Sequence, residues 1–171
     1  MKEYLNRKDL SKPIFIFISS LILITFFMFG MLSILKLRIY SSVVNGSSME
    51  KTLSDGTKIL LIKANLVPLK RGSIVSVNAT DPMLGNFHYL KRVIGLPNDE
   101  VNIQGSNVYI NGNLLEEPYA YYSQECNDNF IFELSDNEYF IMGDNRCNSE
   151  DSRHIGPIKK DLILSVIFGY N

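Results

Sequence analysis

The chain has 171 residues, of which 46% are hydrophobic and 20% are charged, and its formal net charge is −1. This length allows one domain with a small appendage, and the near-zero charge argues against a dedicated nucleic-acid binder. Two cysteines are too few for a disulfide-dense mini-protein or a four-ligand zinc site. Charge is distributed unevenly, because residues 1–38 carry six basic and two acidic residues (net +4), whereas residues 39–171 carry 11 and 16 (net −5). The sequence therefore predicts a molecule of two parts.

The first part contains an uncharged, apolar run of 23 residues, 13–35. At about 1.5 Å per residue, a helix of this length covers roughly 34 Å and crosses a hydrocarbon core of about 30 Å. A cleavable signal peptide is the main alternative, but its apolar region is usually about 7–15 residues long and ends in small residues. This run is followed by Lys36-Leu37-Arg38. We therefore expect an uncleaved membrane anchor.

Basic residues at the two ends of the anchor predict its orientation. Four precede it and two follow it: Lys2, Arg7, Lys8 and Lys12, against Lys36 and Arg38. Because basic residues are retained on the cytoplasmic side, the N-terminus is expected inside. The predicted organisation is a cytoplasmic segment 1–12, a transmembrane helix 13–35 and an extracytoplasmic domain 36–171. The protein is thus expected in the cell membrane as a single-pass protein, with the lipid bilayer as one partner.

The second part is predicted to be mainly β. Its short apolar stretches are rich in β-branched and aromatic residues and lie at 58–63, 74–77, 87–94, 108–110, 130–134, 139–142 and 162–168. Turn signals separate them, and Asn111-Gly112 is a strong signal for a two-residue hairpin. No segment after Arg38 shows a sustained helical period. We expect folded antiparallel β-sheets or a barrel-like domain that is tethered by one helix.

Three polar segments stand out in these apolar surroundings, and the first is 43–53, soon after the anchor. Gly46 permits unusual backbone angles, which can aim successive N–H groups at one point. A serine in such a turn is a candidate nucleophile backed by an oxyanion hole. Taken alone, this segment is better explained as an ordinary serine-rich loop.

The second segment is the predicted strand 87–94. Alternation places Phe87, Tyr89, Lys91 and Val93 on one face and Leu90, Arg92 and Ile94 on the other. Whichever face is buried therefore carries a basic residue. Burial of Lys91 would lower the pKa of its amine and make it a usable base. Alternatively, this lysine extends its charged end to water.

The third segment is the polar loop 143–153, which follows a hydrophobic strand. It is either a solvated connection or the source of a hydroxyl group that orients a lysine. Its carboxylates and guanidinium groups are suited to pairing with one another.

Taken together, the three segments resemble the bacterial type I signal peptidase family, membrane-bound Ser/Lys proteases that remove signal peptides from exported proteins. Gly46-x-Ser48-Met49-x-x-Thr52-Leu53 resembles the family's nucleophile motif, and Tyr89-x-Lys91-Arg92-Val93-Ile94-Gly95-Leu96-Pro97 resembles its lysine motif. Gly143-Asp144-Asn145-Arg146-x-x-Ser149-x-Asp151-Ser152-Arg153 resembles its last motif. The order is right, the anchor is present, and the short interval between the last two motifs is typical of small, single-anchor members.

The resemblance implies a catalytic dyad in which Ser48 attacks the scissile carbonyl and neutral Lys91 takes the serine's proton. It implies that Ser149 orients Lys91 and that Asp151, Arg153 and Arg92 form a supporting salt-bridge cluster. The Ser48 N–H would contribute to the oxyanion hole. Some members place a second donor, a serine hydroxyl, where this chain has Gly46, which points to a backbone contribution instead.

The substrates that the resemblance implies are signal-peptide-bearing precursors with small residues at positions −1 and −3, bound as an extended strand. By motif position, four residues are expected to shape the pockets for these side chains: Met49, Leu53, Tyr89 and Leu90. No cofactor is implied. The chain departs from the family pattern at Lys51, Ser73 and Asn98, where the family has proline, aspartate and glycine. We expect altered turn rigidity from these differences and not loss of activity.

Two other functions remain possible from the sequence. A membrane-tethered β-domain that acts as a scaffold or assembly partner is one, and Lys51 keeps it open. A sortase-like thiol transpeptidase using His88, Cys147 and Arg153 is the other, although the chain lacks that family's Thr-x-Thr-Cys strand ending. Cys126 and Cys147 either pair or remain free thiols. No metal or nucleotide motif is present, and nucleic acid is not an expected partner.

Overall fold

The computed structural model describes residues 7–36, 39–81, 85–123 and 128–170. The chain divides into two compact units, 1–38 and 39–171, which we call the helical unit and the β unit. Residues 1–6 of the predicted cytoplasmic segment and Cys126 lie outside the described residues.

The helical unit consists of helix α1 (Arg7–Lys36), which includes the whole predicted anchor 13–35. Within it, Lys12–Ile34 is long and apolar enough to cross a membrane, and its side chains are exposed on all sides. The hydroxyl groups of Ser19, Ser20 and Thr25 donate hydrogen bonds of 2.8–2.9 Å to carbonyl groups three residues earlier in the helix. The helix therefore satisfies these polar atoms internally, as an apolar solvent requires.

The β unit is mainly β, as predicted, and all the strand pairs in its two sheets are antiparallel. Its described residues form strands β1 (Ile39–Val43), β2 (Lys58–Lys63), β3 (Ile74–Asp81), β4 (Gly85–Gly95), β5 (Glu100–Gln104), β6 (Asn107–Ile110), β7 (Asn113–Leu114), β8 (Asn129–Glu133), β9 (Glu138–Met142), β10 (Ile158–Lys159) and β11 (Ile163–Tyr170). One short helix, α2 (Ser152–Ile155), lies between β9 and β10. Single 3-10 turns occupy Ala64–Leu66 and Lys160–Leu162.

The larger sheet has the strand order β1-β2-β11-β3-β4-β9-β10, and the smaller sheet has the order β7-β6-β5-β8. Strands β4 and β9 contribute to two hydrophobic clusters at once. Val93 and Ile141 belong to a cluster of the larger sheet, whereas Ile94 and Phe140 pack with the buried residues of β5 and β6. Because both faces of β4 are covered, its alternating basic residues Lys91 and Arg92 are both buried.

A third cluster lies beneath the loop that joins β1 to β2. It contains Val44, Met49 and Leu53 from the loop, together with Ile59 and Leu61 from β2. Met49 and Leu53 are each 1% exposed. The loop is therefore anchored to the sheet by its own apolar side chains, which lie on both sides of Ser48 in the sequence.

Each of the seven predicted strands is present, and the predicted hairpin joins β6 to β7. Asn111 and Gly112 both have positive φ (52° and 76°), as a type I′ turn requires. Strands β1, β5, β7 and β10 were not among the predicted strand segments. Helix α2 was also not predicted, because four residues are too few to show a helical period; Asp151 caps it by accepting a hydrogen bond from the Arg153 N–H.

Candidate active site

The turn that carries Ser48 is held at both ends. Before it, Gly46 adopts φ 95°, and its N–H donates to the Asp55 carboxylate at 2.8 Å. After it, the N–H of Leu53 donates to the carbonyl of the buried Met49 at 2.8 Å. The left-handed angle at Gly46 is one that glycine adopts without strain. Ser48 therefore projects from a fixed backbone and not from a free loop.

Lys91 on β4 lies beside Ser48. Its Nζ is 2.7 Å from Ser48 Oγ, within hydrogen-bond distance, and the residue is only 2% exposed. Burial lowers the pKa of Lys91 from 10.5 to about 8, against the opposing effect of Asp151 and other nearby carboxylates. The two residues that the sequence proposed as a dyad, 43 positions apart, thus form one contact.

The loop after β9 closes over the backbone of the Ser48 turn. The Asn145 N–H donates to the Ser48 carbonyl at 3.0 Å, and the Asn145 side-chain amide donates to the Ser47 carbonyl at 3.1 Å. Gly143 packs so closely that a Cβ built on it would lie 2.2 Å from Ser149 Oγ and 2.5 Å from the Ser48 carbonyl oxygen. The third polar segment is therefore joined to the first at the position of the candidate nucleophile.

Ser149 reaches this region, but the expected hydrogen bond to Lys91 is not among the contacts of the described residues. Its Oγ is buried beside the Asp151 carboxylate, whose pKa it helps to lower. The orienting role of Ser149 therefore stays a prediction.

Asp151 and Arg153 form a buried ion pair, as the resemblance implied. Arg153 Nε lies 2.9 Å from Asp151 Oδ1, and the second Asp151 oxygen accepts a hydrogen bond from the Gly143 N–H. Burial alone would raise the pKa of Asp151, but the Arg153 guanidinium and the Gly143 N–H hold it below its ordinary value. Arg153 also pairs with Asp128 at 2.6 Å. The pair fixes Gly143, and through it the backbone beside Ser48.

Arg92 does not join that pair in the structure. It forms a bidentate ion pair with the fully buried Asp144, at 2.8 and 2.5 Å, and Thr52 Oγ1 donates to the same carboxylate at 2.5 Å. The single supporting cluster expected from the resemblance is thus two clusters. The second one links β4, the loop after β9 and the turn after Ser48.

Sequence reasoning missed a further ion pair, between Arg146 and Glu117. The Arg146 side chain is fully buried, and its guanidinium contacts both Glu117 oxygens at 2.6 and 2.7 Å. Its Nε donates to the Gly143 carbonyl at 3.0 Å. Arg146 lies in the polar loop that the sequence analysis singled out, but nothing in the sequence connects Arg146 with a glutamate 29 positions earlier.

A cavity of about 300 Å³ opens beside Ser48 and Lys91. Three of the four residues nominated for substrate pockets, Met49, Tyr89 and Leu90, are among its lining residues. The fourth, Leu53, packs in the cluster beneath the turn.

Comparison with known proteins agrees with this geometry. The family profile described as "Signal peptidase, peptidase S26" matches residues 14–168. The chain belongs to the signal peptidase I family. Membership implies a serine endopeptidase, and the N-terminal apolar helix is consistent with a membrane-anchored protein.

Named relatives lie in several bacterial groups. A signal peptidase I of Bacillus amyloliquefaciens is 38% identical over 75% of this chain and 76% of its own length. Signal peptidase I T of Bacillus subtilis is 37% identical, over 75% and 74% of the two chains. A probable signal peptidase I-2 of Synechocystis is 37% identical, over 73% of this chain but only 59% of that protein.

A crystal structure of a signal peptidase I from Enterococcus faecalis has the same fold. It is 27% identical to this chain, its TM-score is 0.50, and the match covers 58% of this chain and 97% of that one. The mainly β architecture is therefore shared with a solved member of the family.

The three departures from the signal peptidase motifs have local structural explanations. Lys51 places its ammonium group 4.4 Å from the centre of the Tyr121 ring, a contact across the turn that the family's proline would lack. The Ser73 hydroxyl oxygen accepts a hydrogen bond from the Lys70 N–H at 3.3 Å. Asn98 adopts φ 67°, a left-handed angle that asparagine tolerates better than most residues.

The thiol alternative lacks its nucleophile. No free cysteine occurs among the described residues, and Cys147 is disulfide-bonded. The described residues therefore offer no thiol nucleophile for a sortase-like activity.

Proposed function

We propose that the chain is a membrane-anchored signal peptidase that cleaves N-terminal signal peptides from exported proteins after a small-x-small site. Ser48 is the nucleophile and neutral Lys91 is the general base. The observation that carries the proposal is the 2.7 Å contact between Ser48 Oγ and the nearly inaccessible Nζ of Lys91. A buried lysine with a pKa of about 8 releases its proton far more readily than an exposed one.

The first half of the reaction forms an acyl-enzyme. Ser48 Oγ attacks the carbonyl carbon of residue −1 while its proton passes to Lys91 Nζ. The oxyanion that results is stabilised by the Ser48 N–H, which donates to no acceptor among the described residues. Collapse of this intermediate breaks the peptide bond, and the protonated Lys91 returns the proton to the leaving amine.

The second half hydrolyses the ester. A water molecule attacks the acyl carbon while neutral Lys91 takes one of the water's protons, and Ser48 recovers its proton as the signal peptide leaves. No net proton is gained or lost by the enzyme. The same amine thus serves as base and acid in both halves.

Gly46 has a structural role in this scheme. Its N–H already donates to Asp55 and is engaged unless substrate binding displaces that carboxylate. Gly46 therefore supports the oxyanion site by holding the turn in its left-handed angle. The loop and strand around Lys91 are fixed by four further residues: Ser149, Asp151, Arg153 and Arg92.

The substrates proposed are precursors that present an extended segment to the cavity. Met49, Tyr89 and Leu90 line this cavity, and small side chains at positions −1 and −3 are the substrate class that the family resemblance implies. The anchor keeps the β unit at the membrane surface, where signal peptides end. This raises the effective concentration of the cleavage site.

The test is cleavage of a signal-peptide-bearing precursor by the purified full-length protein in detergent. The Ser48→Ala and Lys91→Ala variants should each lose cleavage by several orders of magnitude, because nucleophile and base act as one unit. Matched controls are Ser54→Ala and Lys58→Ala, which alter exposed residues on the same loop and on β2. Both controls should cleave like the wild type.

If a well-folded wild-type protein cuts no precursor at any pH from 6 to 10, the protease proposal is wrong and the scaffold function becomes the better explanation. Cleavage that survives in Ser48→Ala would also contradict it.

A further inference from the structure

The smaller sheet ends in an unpaired edge strand. Strand β8 is the last strand of that sheet, and none of the described residues pairs with its other side. Natural proteins protect such edges with lysine, proline, a bulge or a very short strand. Strand β8 has five residues, NFIFE, and it pairs with β5 without a register shift, so it has none of these protections. The main-chain groups on its other side can therefore pair with a further strand.

The other sheet edges in the described part of the chain are less suited to such pairing. Strands β7 and β10 have only two residues each. Strand β1 borders the cavity beside Ser48 through Ser42, where the substrate is proposed to bind. Strand β8 is thus a longer edge that the proposed reaction does not use.

The outer face of the smaller sheet is apolar at the centre of β8. Ile131 is 66% exposed there. It belongs to a row of residues that lie opposite one another across all four strands: Leu114, Tyr109, Asn102 and Ile131. The row therefore ends at the unpaired edge with an aliphatic side chain that water surrounds.

The two ends of this outer face differ in chemistry. At one end, Glu100 and Glu133 lie opposite each other. At the other end lie three amide side chains: Gln104, Asn107 and Asn129. Like charges opposite each other destabilise a sheet, and amide groups can donate hydrogen bonds to carboxylates. The face is thus acidic at one end, apolar in the middle and rich in donors at the other end.

A second copy of the chain is complementary to this edge. A two-fold axis through Ile131, perpendicular to the sheet, pairs β8 with the same strand of the other copy in antiparallel fashion. Ile131 then lies opposite its own counterpart, and the amide of Asn129 lies opposite the Glu133 carboxylate. On the inner face, the half-buried Phe130 and Phe132 of the two copies lie opposite each other. Aromatic cross-strand pairs of this kind are favourable.

We propose that two copies of the chain associate through their β8 edges in the membrane and join their four-stranded sheets into one. The acidic end of each copy meets the donor-rich end of the other. Two paired strands of five residues form a small interface, below the roughly 1,200 Å² that stable soluble complexes bury. Confinement by the apolar helix α1 raises the effective concentration of the two copies and offsets this small area.

The test is disulfide cross-linking of the full-length protein in phospholipid vesicles, with the wild type as background for its own cysteines. Opposite residues of an antiparallel pair have Cα atoms about 4.5–5.5 Å apart, a distance that a disulfide spans. Ile131→Cys should therefore form a covalent dimer under mild oxidation. Leu114→Cys is the matched control, because Leu114 is 58% exposed on the same face but lies three strands away. It should cross-link at least about tenfold more slowly, since it depends on random encounters.

A mixture of two variants tests the register. Asn129→Cys mixed with Glu133→Cys should cross-link, because the two-fold axis places these positions opposite each other. Either variant alone should not, since its own two copies of the introduced residue lie about 13 Å apart along the strands.

Energy transfer between fluorescently tagged copies tests the association without cysteine chemistry. Ile131→Lys places two ammonium groups opposite each other, so the transfer should fall to the level of randomly distributed proteins. Leu114→Lys should keep the wild-type transfer, and a mixture of Ile131→Lys with Ile131→Glu should restore it. Each variant should keep the wild-type circular dichroism, because the replaced side chains are exposed.

Equal cross-linking rates for Ile131→Cys and Leu114→Cys would overturn the proposal, and so would energy transfer that persists in Ile131→Lys. Cross-linking of Ile131→Cys to a different protein in cell membranes would assign the edge to another partner and overturn it as well. Failure of the wild type to cleave precursors would refute the proposed function alone, because the association does not involve Ser48 or Lys91.

Discussion

Lys91 is the residue whose chemistry depends most on its surroundings. With a pKa of about 8, roughly one molecule in ten carries the neutral amine at pH 7 and about nine in ten carry it at pH 9. We expect kcat/KM for precursor cleavage to rise about tenfold over this interval and then to level off. The measurement is a pH–rate profile. A rate that is flat from pH 7 to 9, or that falls, would exclude Lys91 as the base that limits catalysis.

The same burial affects stability. The unfolded chain, with its lysine pKa near 10.5, binds more protons than the folded chain between pH 8 and pH 10.5, so stability rises with pH through that window. Lys91→Met keeps the side-chain length and removes the titrating group. It should be more stable than the wild type by up to about 3 kcal/mol at pH 7, and the difference should shrink by pH 10.

Urea unfolding in detergent, followed by tyrosine fluorescence, measures this difference, since the chain has nine tyrosines and no tryptophan. An equal effect of Lys91→Met at both pH values would show that burial of the charge is not its cause.

Gly143 is the residue at which space is most restricted. A methyl group there must displace Ser149 or the Ser48 carbonyl, both of which lie within 2.5 Å of its position. Gly143→Ala should therefore lower kcat by about a hundredfold or more, because small displacements of a nucleophile are costly. Gly169→Ala is the control, since nothing lies within 4 Å of its added Cβ. Near-normal turnover by Gly143→Ala would show that this close packing is not needed for catalysis.

At the scale of elements, the ion pair between Arg92 and Asp144 holds strand β4 to the loop after β9. Asp144→Asn leaves the Arg92 guanidinium buried without its counter-charge, so we expect a loss of about 3–5 kcal/mol in the free energy of unfolding. Asp136→Asn, at an exposed turn position, should change it by less than about 0.5 kcal/mol. Chemical unfolding measures both. A small effect of Asp144→Asn would mean that water enters and solvates Arg92.

The strands could be predicted largely from alternation and turn signals. The run 58–63 coincides with β2, and Asn111-Gly112 specifies its hairpin because both residues adopt positive φ readily. Strand β1, with the sequence IYSSV, was not predicted, because none of its side chains is buried and its pairing with β2 defines it. A strand that forms mainly through pairing with its neighbour shows no clear hydrophobic alternation in its own sequence.

The sequence predicted which residues belong to the candidate site, but not which of them contact one another. Ser48 and Lys91 were identified through motifs, and they meet in the structure. Arg92, in contrast, had several carboxylates available in the loop 143–153, and alternation cannot say which one lies opposite a given strand position. Only the β4–β9 register, which pairs Arg92 with Met142, brings Asp144 within reach.

For the whole molecule, the orientation in the membrane remains a prediction. The four basic residues before the anchor favour a cytoplasmic N-terminus and an external β unit. Protease added to intact cells should then remove a tag at the C-terminus and leave a tag at the N-terminus intact. Detergent-permeabilised cells are the control for tag accessibility. Protection of the C-terminal tag in intact cells would reverse the proposed topology.

The contrast between Lys91 and Asp151 has a consequence for an enzyme that faces the surrounding medium, as proposed here. Mild acidification removes the remaining neutral fraction of Lys91, but it leaves Asp151 ionised because Arg153 and Gly143 hold the pKa of that carboxyl low. Catalysis should therefore stop well before the loop around Ser48 loosens, and it should return when the medium is neutralised. Cells that acidify their own surroundings would accumulate unprocessed precursors reversibly, with the enzyme intact in the membrane.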